Sequence, residues 1–356
     1  MRMITEIIKI DEKNIETLCE LEKLRRAGEI IKNGGLVVFP TETVYGLGAN
    51  AFDFSAVKKI YEAKGRPSDN PLIVHVSKPE EIYQYAEVPE IADKIIKKFL
   101  PAPLTLVLKK KGSELDAACK LDTVAIRSPK NNTARKLIEL AGAPVAAPST
   151  NLSGKPSHTN AEHVIKDLSG RVDMIICGEN CEIGLESTVI SFNEDNSINI
   201  LRSGYITKEK LNAVGAIINR PRDDNLERAN DVRPYNDPPR SPGIKYTHYS
   251  PDAPLYILSG DEKNIIAFVK KEIKNKNAGF LCFDEIHGFF DDNENIISIG
   301  ARNNLEEQAK NLFNALNKFN DLGVDIIYSM EPARVEIGEA VYNRLIKAAG
   351  GKIIDL

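Results

Sequence analysis

Short apolar runs alternate with amphipathic stretches along most of this 356-residue chain. The alternation begins near Ile30 and continues to about Arg202, and it resumes after Pro251. Apolar runs of about four to eight residues are typical of buried strands, and the longer amphipathic stretches between them are typical of helices. The pattern therefore predicts an α/β or α+β protein in which helices pack against sheets.

The alternation stops between Arg220 and Pro251, where six prolines and many charged residues replace the apolar periodicity. Composition of this kind is typical of a linker. It predicts three segments: a first domain over residues 1–219 with a mixed twisted sheet, a linker over residues 220–251, and a small domain over residues 252–356. Strands separated by helices in the last segment predict a parallel, Rossmann-like sheet of the doubly wound type.

The apolar runs define the predicted strands of both domains. In the first domain they are Leu36–Phe39, Leu72–Val76, Leu104–Leu108, Thr123–Ile126, Pro144–Ala147, Val172–Ile176, Thr188–Phe192 and Ile198–Leu201. In the second domain they are Leu255–Leu258, Gly279–Cys282, Ile296–Ile299 and Val324–Tyr328. A helix is predicted from Ser55 to Lys64, with Ser55 as its N-cap because serine hydroxyls satisfy the first helical N–H groups.

Charge and cysteine content restrict the partners and the compartment. A formal net charge of −4 argues against nucleic-acid binding by the protein as a whole, although a local basic patch of Lys109–Lys111 with Lys97 and Lys98 is compatible with it. Five cysteines without repeated spacing, and a start without a signal-peptide core, predict a reduced, cytoplasmic protein. Cys177 and Cys181 lack two further ligands at zinc spacing, so no metal site is expected. No apolar run approaches the roughly 20 residues of a membrane span.

Polar side chains crowd directly after the predicted strand Leu36–Phe39, in the string PTETVYGLG over residues 40–48. Ligands of open α/β sheets bind at strand ends, so Thr43 and its polar neighbours are candidate ligand contacts. Gly46 and Gly48 are expected to adopt positive φ or to let the backbone approach a ligand closely.

Two cations separated by a glycine, Lys64 and Arg66, follow the predicted helix, and the next strand carries His75. Arginine offers phosphate oxygens a planar fork and lysine offers a point charge. A lone Lys-x-Arg is more often a solvated turn, but the neighbouring glycines, hydroxyls and histidine favour phosphate binding here. No Walker loop and no G-x-G-x-x-G after a strand occurs, so phosphate contacts must come from side chains and scattered amides.

Polar clusters also follow other predicted strands, notably in the string APSTNLSGKPS over residues 147–157. Each cluster by itself is more often a turn, an N-cap or a surface ion pair. Since several strand ends can meet on one concave surface, we expect these side chains to share a pocket. The candidates from these clusters are Arg127, Ser149, Ser157, Ser187 and Arg202.

The linker ends in SPGIKYTHYSP over residues 241–251, which is unusual because linkers are commonly rich in glycine, serine and proline alone. Lys245, Tyr246, His248 and Tyr249 make this end a candidate lid that closes over a bound nucleotide. Docking of the segment onto one domain's surface is an equally good interpretation of the spacing.

No nucleophile with an adjacent base is apparent, and neither H-E-x-x-H nor G-x-S-x-G occurs. Phosphoryl or nucleotidyl transfer is compatible with that pattern, because the protein then acts mainly by positioning reactants and neutralising charge.

The chain resembles the long, two-domain form of the threonylcarbamoyl-AMP synthase family, whose first domain is YrdC-like. The resemblance extends over nearly the whole chain and rests on PTETVYGLG, KGRPSDNPL, APSTNLSG, EST at residues 186–188, and SPGIKYTHYSP, in that order. Membership implies that L-threonine, bicarbonate or CO₂, and ATP give threonylcarbamoyl-adenylate and pyrophosphate. The product would serve a threonylcarbamoyl-transferase complex that modifies tRNA beside the anticodon.

The resemblance also implies the roles of individual residues. Lys64 and Arg66 would act on the triphosphate as the catalytic cations. The implied threonine contacts are Thr43, His75, Arg127, Ala147 and Ser187. The implied ATP contacts are Lys64, Arg66, Asn70, Thr123, Ser149, Ser157, Arg202 and Tyr246.

Further expectations concern cofactors and partners. Mg²⁺ is expected to arrive with the phosphates of ATP, since no acidic cluster suits a protein-built site. The alternative function is an RNA-binding YrdC-like module acting in tRNA or rRNA maturation, with direct RNA binding expected to be secondary. A carbamoyl-transfer relative is disfavoured because no acylphosphatase-like or zinc-finger segment occurs. The second domain is expected to have a regulatory or lid-supporting role.

Overall fold

The computed structural model describes residues 4–68, 70–213, 248–290 and 293–356, together with the main chain of residues 218–219. Most of the predicted linker, including Lys245 and Tyr246, lies outside the described residues. No helix in these ranges is long and apolar enough to cross a membrane.

The first sheet contains twelve strands within the described ranges. They are β1 Glu6–Lys9, β2 Val37–Phe39, β3 Gly46–Asn50, β4 Ile73–His75, β5 Ala86–Glu87, β6 Leu104–Lys110, β7 Thr123–Arg127, β8 Val145–Ala146, β9 Met174–Cys177, β10 Thr188–Phe192, β11 Ile198–Arg202 and β12 Ile218–Asn219. Their order is β1-β9-β2-β3-β8-β4-β7-β6-β10-β11-β12, with β5 paired to β6. The sheet contains both parallel pairs such as β4–β7 and antiparallel pairs such as β6–β7, so the predicted mixed sheet is confirmed.

Helices cover both faces of this sheet. They are α1 Leu18–Lys32, α2 Phe54–Lys64, α3 Ile82–Tyr85, α4 Glu90–Phe99, α5 Asn132–Ala141, α6 Ala161–Leu168 and α7 Lys208–Asn212. Leu24 of α1 and Leu137 of α5 belong to the core on one face, and Ile60 of α2 belongs to the larger core on the other. Gly28 lets α1 approach α5 closely, since a Cβ there would lie 2.8 Å from the main-chain carbon of Leu140.

One local prediction for the first domain was wrong and a second was wrong in part. The N-cap of α2 is Asp53, whose carboxylate accepts the N–H groups of Ser55 and Ala56, and an aspartate fills that role as well as a serine does. Gly46 and Gly48 lie in β3 without positive φ, so that part of their prediction is wrong, whereas close approach of the backbone to a ligand stays a prediction. They are small because a Cβ on Gly48 would lie 2.7 Å from the ring of Phe39.

The second sheet is parallel throughout its described strands, in the order β15-β14-β16-β13-β17. Its strands are β13 Leu255–Ser259, β14 Ala278–Cys282, β15 Ile296–Ser298, β16 Ile326–Met330 and β17 Ile353–Asp355. Its helices are α8 Glu262–Asn275, α9 Asp284–His287, α10 Leu305–Leu322 and α11 Glu336–Ala348. The small parallel-sheet unit expected from the sequence is confirmed, whereas the domain boundaries stay a prediction.

The two sheets share an interface on which the site depends. Val44 and Leu185 extend from the first sheet's loops into the apolar core of the second. Gly184 adopts a φ of +76°, and a Cβ there would lie 2.4 Å from the carbonyl oxygen of Lys310 in α10. The loop before β10 therefore presses against α10 at a point where glycine alone fits.

Replacing Gly184 by alanine should destabilise the protein by about 2–4 kcal/mol, because positive-φ strain adds to a clash with main-chain atoms. Gly142 is the matched control: its φ is +67°, but no atom lies within 4 Å of the position that an alanine methyl group would take. Gly142→Ala should cost about 1 kcal/mol from strain alone. Melting temperatures compare the two, and equal losses would contradict a tight contact at Gly184.

Candidate functional site

A cavity lies where several strand ends of the first sheet meet the loops that face the second domain. Residues from each polar cluster of the sequence line it. The predicted contacts that line it are Thr43, Lys64, Arg66, Asn70, His75, Arg127, Ala147, Ser149, Ser187 and Arg202. The expected convergence of strand ends on one pocket is thus observed for these residues.

Three predicted contacts do not line the cavity. Ser157 is fully buried behind it, and its hydroxyl donates to Glu186. Thr123 lies at the start of β7, at the opposite end of the strand from Arg127. Tyr246 lies outside the described residues. Their assignments to ATP stay predictions.

Arg127 is held by two side chains from the PTET string. Its Nη1 donates to Thr43 Oγ1 at 3.0 Å, and its Nη2 lies 2.7 Å from Glu42 Oε1. Arg127 and Glu42 are both nearly fully buried, and a buried charge needs a partner of this kind. The pair fixes one edge of the guanidinium and aims the group at the cavity.

Glu42 is oriented in turn by main-chain groups that precede α5. Its carboxylate accepts the N–H of Lys130 at 3.0 Å and that of Asn131 at 3.4 Å. Glu42 is a site residue to which the PTETVYGLG string by itself assigns no role. Its partner Arg127 ends β7, which does not neighbour β2 in the sheet, so no local pattern indicates the pair.

His75 ends β4 beside Arg127 and is neutral. Burial, helped by the nearby Arg127 charge, lowers the pKa of His75 to about 3. Its Nδ1 lies 3.2 Å from the carbonyl oxygen of Ile73, so that nitrogen carries the proton of the neutral ring. A neutral imidazole adds no charge next to the guanidinium.

Lys64 occupies the last turn of α2 and is almost completely buried. Its Nζ donates to the carbonyl oxygens of Ser149 and Asn151, on the loop that follows β8. Burial, with the Arg66 charge adding to it, lowers the pKa of Lys64 well below its usual value. Gly65 adopts the left-handed conformation that ends α2 and turns the chain toward Arg66.

Asn70 and Arg66 complete this side of the cavity. The Arg66 Nη2 donates to the Pro71 carbonyl oxygen at 3.2 Å. Asn70 Oδ1 is buried without a hydrogen-bond partner among the described residues. Buried polar atoms are normally satisfied, so an unsatisfied amide oxygen facing a cavity indicates a place for a ligand donor.

Arg202 closes the cavity at the end of β11. Its Nε donates to the Ser187 carbonyl oxygen at 3.0 Å, and its Nη2 donates to the Ser187 hydroxyl at 3.1 Å. That hydroxyl also lies 2.7 Å from Thr105 Oγ1. Ser187 is therefore fixed by its neighbours rather than mobile.

An apolar floor extends from Arg127 along the same face of the sheet. Ile73 and Val107 both lie opposite Ala125 in neighbouring strands, and with Val189 they form a small separate cluster. Side chains alternate across a sheet, so Thr123, two residues before Ala125, lies on this same face. A flat ring placed on the floor would lie between Arg127 and Thr123.

His248 and Tyr249 line the cavity from the end of the linker string. Tyr249 adopts a φ of +67°, which is strained for a residue with a side chain, and its ring lies 5.2 Å from that of Phe313. Burial, with the Lys347 charge next in importance, lowers the pKa of His248 to about 4. This part of the linker string is docked against the second domain, and the lid interpretation of Lys245 and Tyr246 stays a prediction.

Thr150, His158 and Asp167 imitate a catalytic triad but do not reach the cavity. Thr150 Oγ1 lies 3.0 Å from His158 Nδ1, and His158 Nε2 lies 3.1 Å from Asp167 Oδ2. Thr150 is fully buried and does not line the cavity, so no substrate carbonyl can reach its hydroxyl. The arrangement is structural.

Four of the five lysines suggested for RNA contact are engaged in other interactions. Lys97 pairs with Asp93, Lys109 with Glu87 and Lys110 with Asp116, and Lys111 donates to the Tyr83 carbonyl oxygen. Among the described residues no group of three or more metal-ligating side chains occurs.

Comparisons with known proteins agree with this architecture. Residues 29–204 match the Sua5, YciO and YrdC family, described as "Telomere recombination". Residues 206–350 match the family described as "Threonylcarbamoyl-AMP synthase, C-terminal domain". The first match lies within the unit built around the first sheet, and the second covers most of the parallel-sheet unit together with residues that precede it.

Individual relatives are similar over almost their whole length. Threonylcarbamoyl-AMP synthase of Bacillus subtilis is 43% identical over 336 residues, which cover 93% of this chain and 94% of that protein. The Pyrococcus abyssi protein of the same name is 43% identical over 347 residues, covering 96% and 98%. The crystal structure of P. abyssi Sua5 complexed with L-threonine superposes with a TM-score of 0.81 at 39% identity and covers 100% of both chains.

A mixed-sheet domain with a cationic cavity and an adjoining parallel-sheet domain define a two-domain YrdC-like protein. The chain belongs to the threonylcarbamoyl-AMP synthase family.

Burial of neutral His75 should make the protein less stable in acid. Because its folded pKa of about 3 lies below the unfolded value of about 6.5, its contribution is complete above pH 6.5 and is lost as the pH falls toward 3. His75→Gln should flatten the decline of unfolding free energy over that window by about 1.4 kcal/mol per pH unit. Chemical denaturation at several pH values measures the slope.

The control for this experiment is His287→Gln, which replaces an exposed histidine of α9. It should leave the acid slope as in the unmodified protein. An unchanged slope in His75→Gln would contradict the buried neutral imidazole.

Proposed function

We propose that this protein is a threonylcarbamoyl-AMP synthase, which condenses L-threonine, bicarbonate or CO₂, and ATP into threonylcarbamoyl-adenylate and pyrophosphate. One observation carries the proposal. A single cavity combines a guanidinium oriented by its own carboxylate, Arg127 with Glu42, with the separate cations Lys64, Arg66 and Arg202. That arrangement suits a carboxylate and a polyphosphate side by side.

Threonine is assigned to the side of the cavity around Arg127. Guanidinium groups bind carboxylates bidentately, and Glu42 and Thr43 already hold Arg127 in one orientation. Neutral His75 lies next to it and suits an amino group that must lose its proton before it reacts. Ala147 and Ser187 complete the proposed threonine contacts.

The triphosphate is assigned to the side around Lys64, Arg66 and Arg202. Charges buried in a cavity act on phosphate more strongly than charges in water do. Asn70 and Ser149 line the cavity together with these cations and are assigned to the nucleotide with them. The same assignment gives Lys64 and Arg66 the catalytic charge-neutralising role.

The adenine ring is assigned to the apolar floor formed by Ile73, Val107 and Ala125. A nucleobase presents a flat apolar face, and these side chains offer a matching surface. Thr123 on the same face would then contact the base or ribose.

The reaction follows in two steps. The neutral threonine amine adds to CO₂ and releases a proton to solvent, or adds to bicarbonate with loss of water, and forms a carbamate. A carbamate oxygen then attacks the α-phosphorus of ATP, and the bond to the β-phosphate oxygen breaks to release pyrophosphate. Negative charge grows on the non-bridging oxygens and on the leaving group, so the fixed cations contribute more than any general base.

Mg²⁺ is proposed to enter as part of the nucleotide complex. The carboxylates of Glu42 and Glu186 at the cavity are already paired with Arg127 and Arg344, which leaves neither suited to ligate a metal ion. The phosphate oxygens of ATP would hold the ion and neutralise part of their charge.

The adenylate is a reactive mixed anhydride that must be passed on. We assign its use to a separate threonylcarbamoyl-transferase complex that modifies tRNA next to the anticodon, in the cytoplasm. Closure of the linker string, with Tyr246 over the nucleotide, would keep water from the product. Direct RNA contact is a secondary part of this proposal.

Pyrophosphate release should require all three substrates. Purified protein given ATP, bicarbonate and labelled L-threonine should release pyrophosphate and form a labelled adenylate, and omission of threonine or bicarbonate should stop both. Release of pyrophosphate that is independent of threonine would contradict the proposed reaction.

Lys64→Met should lower kcat/KM for ATP by about 10²–10³-fold, because a buried cation aimed at the developing charge is lost. Methionine keeps most of the aliphatic volume, so the fold should survive. Lys58→Met is the matched control, since Lys58 is an exposed residue of the same helix that pairs with Glu62. Equal activities of the two variants would remove Lys64 from the reaction.

A further inference from the structure

The end of the linker string and the second domain together hold the loop of residues 154–160 by several contacts. Ser250 N–H donates to the Gly154 carbonyl oxygen at 2.8 Å, and Asn317 Nδ2 of α10 donates to the Ser157 carbonyl oxygen at 3.2 Å. Asn160 Nδ2 donates to Asn314 Oδ1 at 2.8 Å, also on α10. The loop thus depends on the second domain for its position.

The Ser157 side chain is held by the same domain through an intermediate. Its hydroxyl donates to Glu186 Oε1 at 2.7 Å, and Glu186 Oε2 accepts from Arg344 Nε at 3.1 Å. Arg344 lies on α11 and is completely buried, and its Nη1 donates to the Ser203 carbonyl oxygen. One arginine of the second domain therefore anchors two segments of the first.

Glu186 needs this partner for two reasons. It lines the cavity while nearly fully buried, so its charge would be costly without a cation beside it. An unpaired carboxylate at that place would also repel an anionic ligand. Arg344 removes both problems, since it neutralises the charge and fixes the orientation of the carboxyl group.

We propose that Arg344 is a positioning residue for nucleotide binding, through which the second domain holds Glu186 and Ser157 in the arrangement that ATP requires. The inference rests on the proposed function and deepens it. The second domain completes the ATP side of the cavity, and the threonine side depends on Arg127, which is held by Glu42 and Thr43 of the first domain.

Loss of Arg344 should affect the two substrates differently. The loss leaves the Glu186 carboxylate facing the phosphates without its ion-pair partner and releases Ser157, whereas the Glu42–Arg127 pair keeps its contacts. ATP binding should therefore suffer much more than threonine binding. General unfolding would weaken the binding of both substrates together.

The experiment compares Arg344→Met and Arg344→Lys with Arg334→Met in the full chain. Arg334 is an exposed arginine of the same domain that pairs with Glu331, so its replacement serves as the matched control. Melting temperature, KM for ATP, KM for threonine, and hydrogen exchange of the amides of residues 152–160 are measured for each.

Arg344→Met should raise KM for ATP about tenfold or more and change KM for threonine by less than about twofold. Exchange over residues 152–160 should increase without any ligand. Arg344→Lys keeps the charge and should recover part of the ATP affinity. Wild-type exchange and ATP affinity in Arg344→Met, or equal losses for both substrates, would overturn the inference.

The double variant Glu186→Gln with Arg344→Met guards against simple unfolding, because it removes both buried charges together. It should regain melting temperature relative to Arg344→Met but keep the raised KM for ATP. A wild-type KM for ATP in the double variant would mean that Glu186 and Arg344 only neutralise each other's charge. That result would overturn the positioning role of Arg344. If the proposed function is wrong, the unmodified protein will not form the adenylate from its three substrates. Hydrogen exchange over residues 152–160 would then still test whether Arg344 positions that loop.

Discussion

Buried charge is the constraint on which this site depends, because an ionised group away from water must have a partner. The cavity is lined by four cations, Lys64, Arg66, Arg127 and Arg202, and by the carboxylate of Glu186. Lys64 is held by main-chain carbonyl oxygens and Arg127 by Glu42. The surplus of positive charge is balanced when an anion enters, so the architecture itself selects anionic ligands.

The same constraint joins the two domains. Glu186 belongs to the first domain, yet its cation, Arg344, comes from α11 of the second. Gly184, two residues earlier, accommodates α10 at the same contact. The cavity is thus built by both units, which gives the second domain a role beyond supporting the linker. The linker string reaches the same place, where Tyr249 packs on Phe313.

Much of the cavity could be predicted from the sequence, and there are physical reasons why the remaining features could not. Strand ends carrying polar residues predicted the cavity, since strand direction fixes where those residues meet. Two neighbouring residues, Asp53 and Ser55, can each cap α2, and the sequence alone did not show that Asp53 does so. It also did not show that Gly48 is next to the ring of Phe39, because that contact depends on tertiary packing. Arg344 has no local signal at all, because its partner is 158 residues away and only tertiary packing brings them together.

The central claim is that one cavity holds threonine on Arg127 and the triphosphate on Lys64, Arg66 and Arg202. A crystal structure of this protein with L-threonine and a non-hydrolysable ATP analogue tests it most directly. The account requires the threonine carboxylate within hydrogen-bond distance of Arg127, the phosphates on the other cations, and the adenine ring over Ala125. A nucleotide bound at the second sheet, or a threonine carboxylate away from Arg127, would contradict it.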